Sequence, residues 1–288
     1  MRTYDFCREI VKKGGVSIPV VFPNDYKAQD EVDKAVDLTL PHVLKFLQGD
    51  TPKFILPFNG VMLGYDVDYV IDEKNFKLPY PVTILEFETG NAATKEEVLN
   101  PFKVVVVATQ KENDIIVLMI IKENKDWMLY PCSCRLSIKD TVDVKYYKIN
   151  VRQQFSVFTK TMNSLDQDYL KELSKTLAIS TRAVAQLILS LNCKNISDIT
   201  IPISKTKMAL GGKTKGYSEY HVLKVTPSER ANRFKNKLGG THASPREHMR
   251  RGHIHRFKMK EGFISHWIDA MVVNAGIGGC VTKDYLLL

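Results

Sequence analysis

Residues 103–121 read KVVVVATQKENDIIVLMII. Two aliphatic, β-branched runs, 103–108 and 115–121, flank the polar stretch 109–114. β-branched side chains lose rotamer freedom in a helix and pack well on a pleated surface, so each run predicts a strand. The polar stretch between them suits a hairpin loop, which makes the pair antiparallel. Upstream, 82–87 has the same composition. Downstream, 127–130 and 142–149 add two more candidate strands. In the upstream strand Glu86 and Glu88 alternate with Leu85 and Phe87. That alternation is the pattern of a strand with one face in water. The alternative is a carboxylate pair on one face for acid–base or metal chemistry.

Before these strands, 30–46 reads as an amphipathic helix with Val32, Ala35, Val36, Leu38, Val43 and Leu44 as its apolar positions and Pro41 as a kink or break. After them, Ser164 can cap one helix, with Leu165, Tyr169, Leu173 and Leu177 on one face. Ser180 can cap a second, with Val184, Leu187, Ile188 and Leu191 inward. A helix-turn-helix would want more basic residues than Arg182 at the second helix, so a packing pair is expected. Further strands are expected at 199–203, 221–225, 253–257, within 263–273 and around 281–287, with Gly276, Gly278 and Gly279 marking a turn. The expected class is α+β. An N-terminal antiparallel-sheet domain spans 1–155, a central helix pair 156–200, and a basic β-rich module 201–288.

Charge separates the last unit from the rest. Residues 201–288 hold 16 Lys+Arg and 6 Asp+Glu, a net +10, whereas residues 1–200 hold 25 and 26. Solubility alone would not confine the excess to one third; holding a polyanion would. Five scattered cysteines, an odd number, argue against a disulfide framework. The start MRTYDFCREIVKKGG lacks an apolar run, and 104–108 and 115–121 are too short to span a bilayer. A cytoplasmic protein without membrane contact is expected.

Five of the seven histidines fall between residues 242 and 266, interleaved with Arg246, Arg250, Arg251 and Arg256, in the run GGTHASPREHMRRGHIHRF. Guanidinium grips phosphate through paired hydrogen bonds, and imidazole can be acid or base near neutrality. Cleavage of RNA by its own 2′-hydroxyl needs one base, one acid and a cation near the phosphorane. His248 and His253, supported by His242, are the candidate acid and base. Arg246, Arg250 and Arg251 would hold the scissile phosphate. Lys213, Lys215, Tyr217, Arg256 and Lys258 would contact the flanking nucleic acid, and Trp267, with Phe263, would stack on a base. Plain phosphate binding without catalysis competes with this, and Trp267 and His266 are equally readable as core residues. If 253–257 is a strand, His253 and His255 share a face; if 246–250 is a helical turn, Arg246 and Arg250 do.

A metal-dependent nuclease is a third reading, through His253-x-His255 with His248 or His242. The spacing fits neither HExxH nor a zinc finger, and four arginines repel a cation, so no metal and no cofactor are expected. Gly211-Gly212-Lys213-Thr214 resembles the end of a P-loop, but Lys207 stands where a glycine is required. Cys132-Ser133-Cys134 is too close for CxxC chemistry and points both thiols one way on a strand.

The segments GKTKGYSEYHVLKV, GGTHASPREHMRRGHIHRF and VTKDYLL, with LPYPVTILEFE in the first domain, resemble a family of uncharacterised phage and prophage proteins with a C-terminal SPRxHxRRGH module. The resemblance implies a phage-encoded, host-facing role and brings no activity. Members carry a basic residue where this chain has His255, which weakens His255 as a catalytic candidate. The expected function is nucleic-acid binding, RNA above DNA, with metal-independent endoribonuclease activity as its mechanistic form. The alternative is a non-catalytic protein that binds and inhibits a host protein or defence complex.

Overall fold

The computed structural model describes residues 6–13, 15–17, 25–63, 75–90, 98, 100–123, 125–139, 150–157, 167–202, 219–225, 248–250, 253–259, 263–268 and 271–273. The hairpin that opens the sequence reading is its centre. Strands β3 (Phe102–Lys111) and β4 (Asp114–Glu123) pair antiparallel in register from Lys103↔Lys122 to Lys111↔Asp114. The connection is tighter than the expected six-residue loop: only Glu112 and Asn113 lie outside the ladder, with Glu112 at φ 54°.

On one side of this hairpin β2 (Val82–Thr89) adds antiparallel to β3; on the other, β5 (Asp126–Lys139) and β6 (Asn150–Val157) continue the meander. The register slips between Leu118 and Ile120, opposite Tyr130–Cys132 of β5. Pro131 sits in this bulge, where a missing N–H does least harm to the ladder. The expected strand at 142–149 lies outside the described residues.

Beyond β2 the sheet changes character. The short β1 (Lys53–Ile55) lies parallel to both β2 and β8 (Glu219–Val225), and β8 pairs antiparallel with β7 (Ile196–Pro202) at the edge. The order β6-β5-β4-β3-β2-β1-β8-β7 makes one eight-stranded sheet among the described residues, antiparallel except around β1. The boundary at residue 201 between the near-neutral first part and the basic remainder falls within β7.

Helices cover both faces. α2 (Tyr26–Gln48) starts at Asp25, whose carboxylate accepts from the N–H groups of Lys27 and Ala28 at 3.1 Å. Val32, Val36, Val43 and Leu47 are its buried stripe, and Pro41 is accommodated without ending the helix. Leu38, expected inward, is 77% exposed, because position 38 falls outside the stripe set by 32, 36, 43 and 47. α1 (Phe6–Lys12) packs beside α2 on the face of β2 that carries Glu86. The other face carries Phe87, which abuts Gly60, and Gly60 in turn meets Ala183 of α3 (Gln167–Leu191). With both faces covered, Glu86 and Glu88 are buried, at 0% and 9% exposure, and the half-exposed strand expected from their alternation does not form.

The expected helix pair is one helix. Ser180 and Thr181 turn their hydroxyls back onto the carbonyls of Leu177 and Ala178, at 2.7 and 3.1 Å, and stay inside α3 instead of capping a new start. Length explains the preference. The chain leaves the sheet at the β6 edge and re-enters at the β7 edge, about seven strand spacings or ~34 Å away. A 25-residue helix is about 37 Å long and makes that crossing unbroken. Gln186, fully buried on α3, accepts from the N–H groups of Met62 and Leu63 at 2.6 and 2.8 Å, fixing the segment after β1. Two small sheets complete the described fold: β10 (His253–Lys258) with β11 (Phe263–Ile268), and β9 (His248–Arg250) with β12 (Met271–Val273). Residues 248–250 are thus strand, not part of a helical turn. No described helix is long and apolar enough to cross a membrane.

Candidate functional site

The β10–β11 hairpin carries the largest described share of the histidine-rich region. Its antiparallel register sets His253 opposite Ile268, Ile254 opposite Trp267, His255 opposite His266, and Phe257 opposite Ile264. Because side chains alternate across a strand, two faces separate. Ile254, Arg256, Ser265 and Trp267 share one face. His253, His255, Phe257, Ile264, His266 and Ile268 share the other.

The first face is the docking face. Trp267 is 9% exposed and joins the main core, with Ile254 packed against it. Its peptide is clamped by one side chain: Asn195 Nδ2 donates to the Trp267 carbonyl, and the Trp267 N–H donates to Asn195 Oδ1, both at 2.8 Å. Next to it the Lys194 N–H donates to the Ser265 carbonyl at 2.9 Å. The hairpin is therefore pinned to the turn between α3 and β7. Burial pushes the Cys193 thiol there up to about 11, against the opposing pull of the Arg256 charge.

The second face is turned away from that dock, with His255 exposed and its other five side chains half-buried. The His255 ring meets Phe257 edge-on, centroids 4.4 Å apart at 71°, and Phe257 meets His266 at 5.4 Å and 85°. Imidazole, phenyl and imidazole form a contiguous ladder, with exposed Lys258 beside it in sequence.

A second histidine site lies on the main sheet. His221 of β8 sits beside Phe54 of β1, rings stacked at 4.8 Å and 25°, with Tyr80 at 5.5 Å. Its Nδ1 is 2.7 Å from Asp198 Oδ2 of β7, a carboxylate that fixes the ring's orientation. The His221 side chain is only 12% exposed, which suits a strand-to-strand tie at the sheet edge. Sequence reasoning passed over this pair because Asp198 and His221 are 23 residues apart and only the β7–β8 register brings them together.

Of the expected catalytic residues, His253 is placed on the outward face. His248 and Arg250 lie on β9 opposite Val273 and Met271 of β12. His242, Arg246 and Arg251 lie outside the described residues, as do Lys213, Lys215 and Tyr217. Arg256 and Trp267 are on the docking face, and Lys258 at the end of β10. Convergence of His248 and His253 on one phosphate is a proposal. Among the described residues no three His, Cys, Asp or Glu side chains are grouped to hold a metal ion.

Fold and site together define an α+β protein whose covered sheet carries a basic, imidazole-rich hairpin at its C-terminal side. Residues 61–275, about three quarters of the chain, match the family described as AcrVA2-like, Anti-CRISPR type V subtype A2, and the chain belongs to that family. It is a phage-type family, as the sequence resemblance implied, and the match spans α3 and the strands from β2 to β12. No curated protein and no solved structure matches the chain.

Proposed function

We propose that the chain is a phage inhibitor of a host type V CRISPR defence complex, acting by binding, with the basic C-terminal third as its RNA-contacting surface. The family match over residues 61–275 carries this reading. The charge distribution supports it: CRISPR effector complexes hold a guide RNA, and a region of net +10 is suited to an RNA backbone. Lys213, Lys215 and Lys258 are the residues assigned to that backbone.

The test is co-purification of the tagged chain with a type V effector complex, before and after ribonuclease treatment. Retention that falls with ribonuclease supports RNA contact within the complex. Failure to retain the complex in either condition overturns the reading.

A second reading starts from the imidazoles of this region, of which His253 shares a hairpin face with His255 and His266 while His248 lies on β9. The same region would cleave RNA without metal, with His248 and His253 as acid and base and Arg246, Arg250 and Arg251 on the phosphate. Incubation with RNA in EDTA decides it. Absence of cleavage, or equal cleavage by His248→Ala and His253→Ala, removes it.

A further inference from the structure

We propose that the outward face of the β10–β11 hairpin is a stacking platform for unpaired bases of single-stranded RNA, centred on Phe257 and flanked by His255 and His266. The proposal rests on the RNA-binding reading above and narrows it to one class of RNA and one surface.

A hairpin this small needs only one face to hold it in place, and the opposite face already does so. Trp267 enters the core, Ile254 packs against it half-buried, and Asn195 clamps the Trp267 peptide. On the face turned away from this dock His255 is exposed and the other five side chains are half-buried, so each keeps some surface toward solvent. Polar, flexible side chains would be the ordinary occupants of such a surface. It carries instead a phenyl ring, three imidazoles and two isoleucines.

The geometry of the rings suits bases. His255–Phe257 and Phe257–His266 are both edge contacts, at 71° and 85°, so neither is a face-to-face stack. Aromatic side chains on a sheet surface take splayed bases by their faces, and imidazoles beside them can hydrogen-bond base edges or phosphate. By the same alternation Lys258 falls on the docking side with Arg256, so the polar contacts of the platform come from its own imidazoles. Duplex RNA keeps its bases stacked inside the helix and offers none to this surface. Trp267, the stacking residue expected from sequence, is turned inward, and Phe257 lies on the opposite face.

The experiment is fluorescence anisotropy with a short unstructured RNA and with the same strand annealed to its complement. The proteins compared are the full chain, Phe257→Ala, His255→Ala and Phe257→Tyr, each checked for an unchanged melting curve. Phe257→Ala should weaken single-strand binding about tenfold or more, the scale of one lost base–aromatic stack. Phe257→Tyr should bind as the parent, and the parent should prefer the single strand. His255 is exposed, so His255→Ala carries the test if Phe257→Ala melts early. Binding of RNA by the parent with both alanine variants unaffected, or with duplex bound equally well, overturns the platform and leaves the RNA reading standing. No RNA binding by the parent overturns both. Loss of effector-complex capture by Phe257→Ala with RNA affinity intact assigns the face to a protein partner and also overturns the platform.

Discussion

Glu86 on β2 holds the main chain of Cys7 from 79 residues away: its buried carboxylate accepts the Cys7 N–H at 3.1 Å and the Phe6 N–H at 3.2 Å. These are orphan donors of the first turn of α1, and a carboxylate there also meets the positive end of the helix. Phe6, Cys7 and Ile10 then bury against the sheet. The contact explains how a seven-residue helix, too short to persist alone, is kept in place. Glu86→Ala should cost about 2–4 kcal/mol in chemical denaturation, since two charge-assisted bonds are lost and two buried N–H groups are left. Glu86→Gln should cost less. Equal stability of all three proteins would contradict this.

The same helix is also tied by Glu9, which meets Lys122 and, at 3.5 Å, Lys103. Partial burial pushes the Glu9 carboxyl up, but the Lys122 hydrogen bond and the two lysine charges outweigh it and hold it below its ordinary value. A carboxyl depressed in the folded state stabilises above its unfolded pKa, and that contribution is lost as pH falls through the folded value. Glu9→Gln should therefore melt lower than the parent at neutral pH, with the gap closing in acid. A gap that stays constant across the titration would remove the ion pairs as its cause.

Gly60, in the 3-10 turn Phe58–Gly60 after β1, lies close against α3. A Cβ there would lie 2.6 Å from Ala183 Cβ, and its φ of +64° is strained for any side chain. Gly60→Ala should cost about 3 kcal/mol, combining overpacking with the left-handed backbone. Ala183→Gly in that background should return the steric part only, giving a coupling of about 1 kcal/mol or more in a double-mutant cycle. Strict additivity would show that the two residues do not collide.

The sequence revealed the sheet's middle far better than its edges or its covering. β2, β3 and β4 are long aliphatic runs, and Val32, Val36 and Val43 mark α2 by period alone. Lys53–Ile55 is too short to carry a pattern, and its parallel pairing joins segments far apart in the chain, so the union of β1 with β8 had no local signal. Ser180 was misread because a buried serine that back-bonds within a helix looks, in sequence, like a cap. Glu86 and Glu88 mimicked a solvent face because their burial depends on helices that arrive from elsewhere. At the candidate site, composition located the imidazole-rich hairpin, and period two put His253 with His255. It could not say which face docks, and so pointed to Trp267, which the Asn195 clamp turns inward.

Polyanion binding has a direct electrolyte signature. Each phosphate neutralised on a single strand contributes about −0.7 to the slope of log K against log salt. Four or five contacts from Lys213, Lys215 and Lys258 with their neighbours should give a slope of about −3. Lys258→Glu should make it shallower. A flat response would contradict RNA contact through the basic third.

Plating of a targeted phage on cells carrying an active type V CRISPR system tests the central claim most directly. Cells expressing this chain should plate that phage as efficiently as an untargeted one. Interference as strong with the chain as without it, at confirmed expression, would contradict the account.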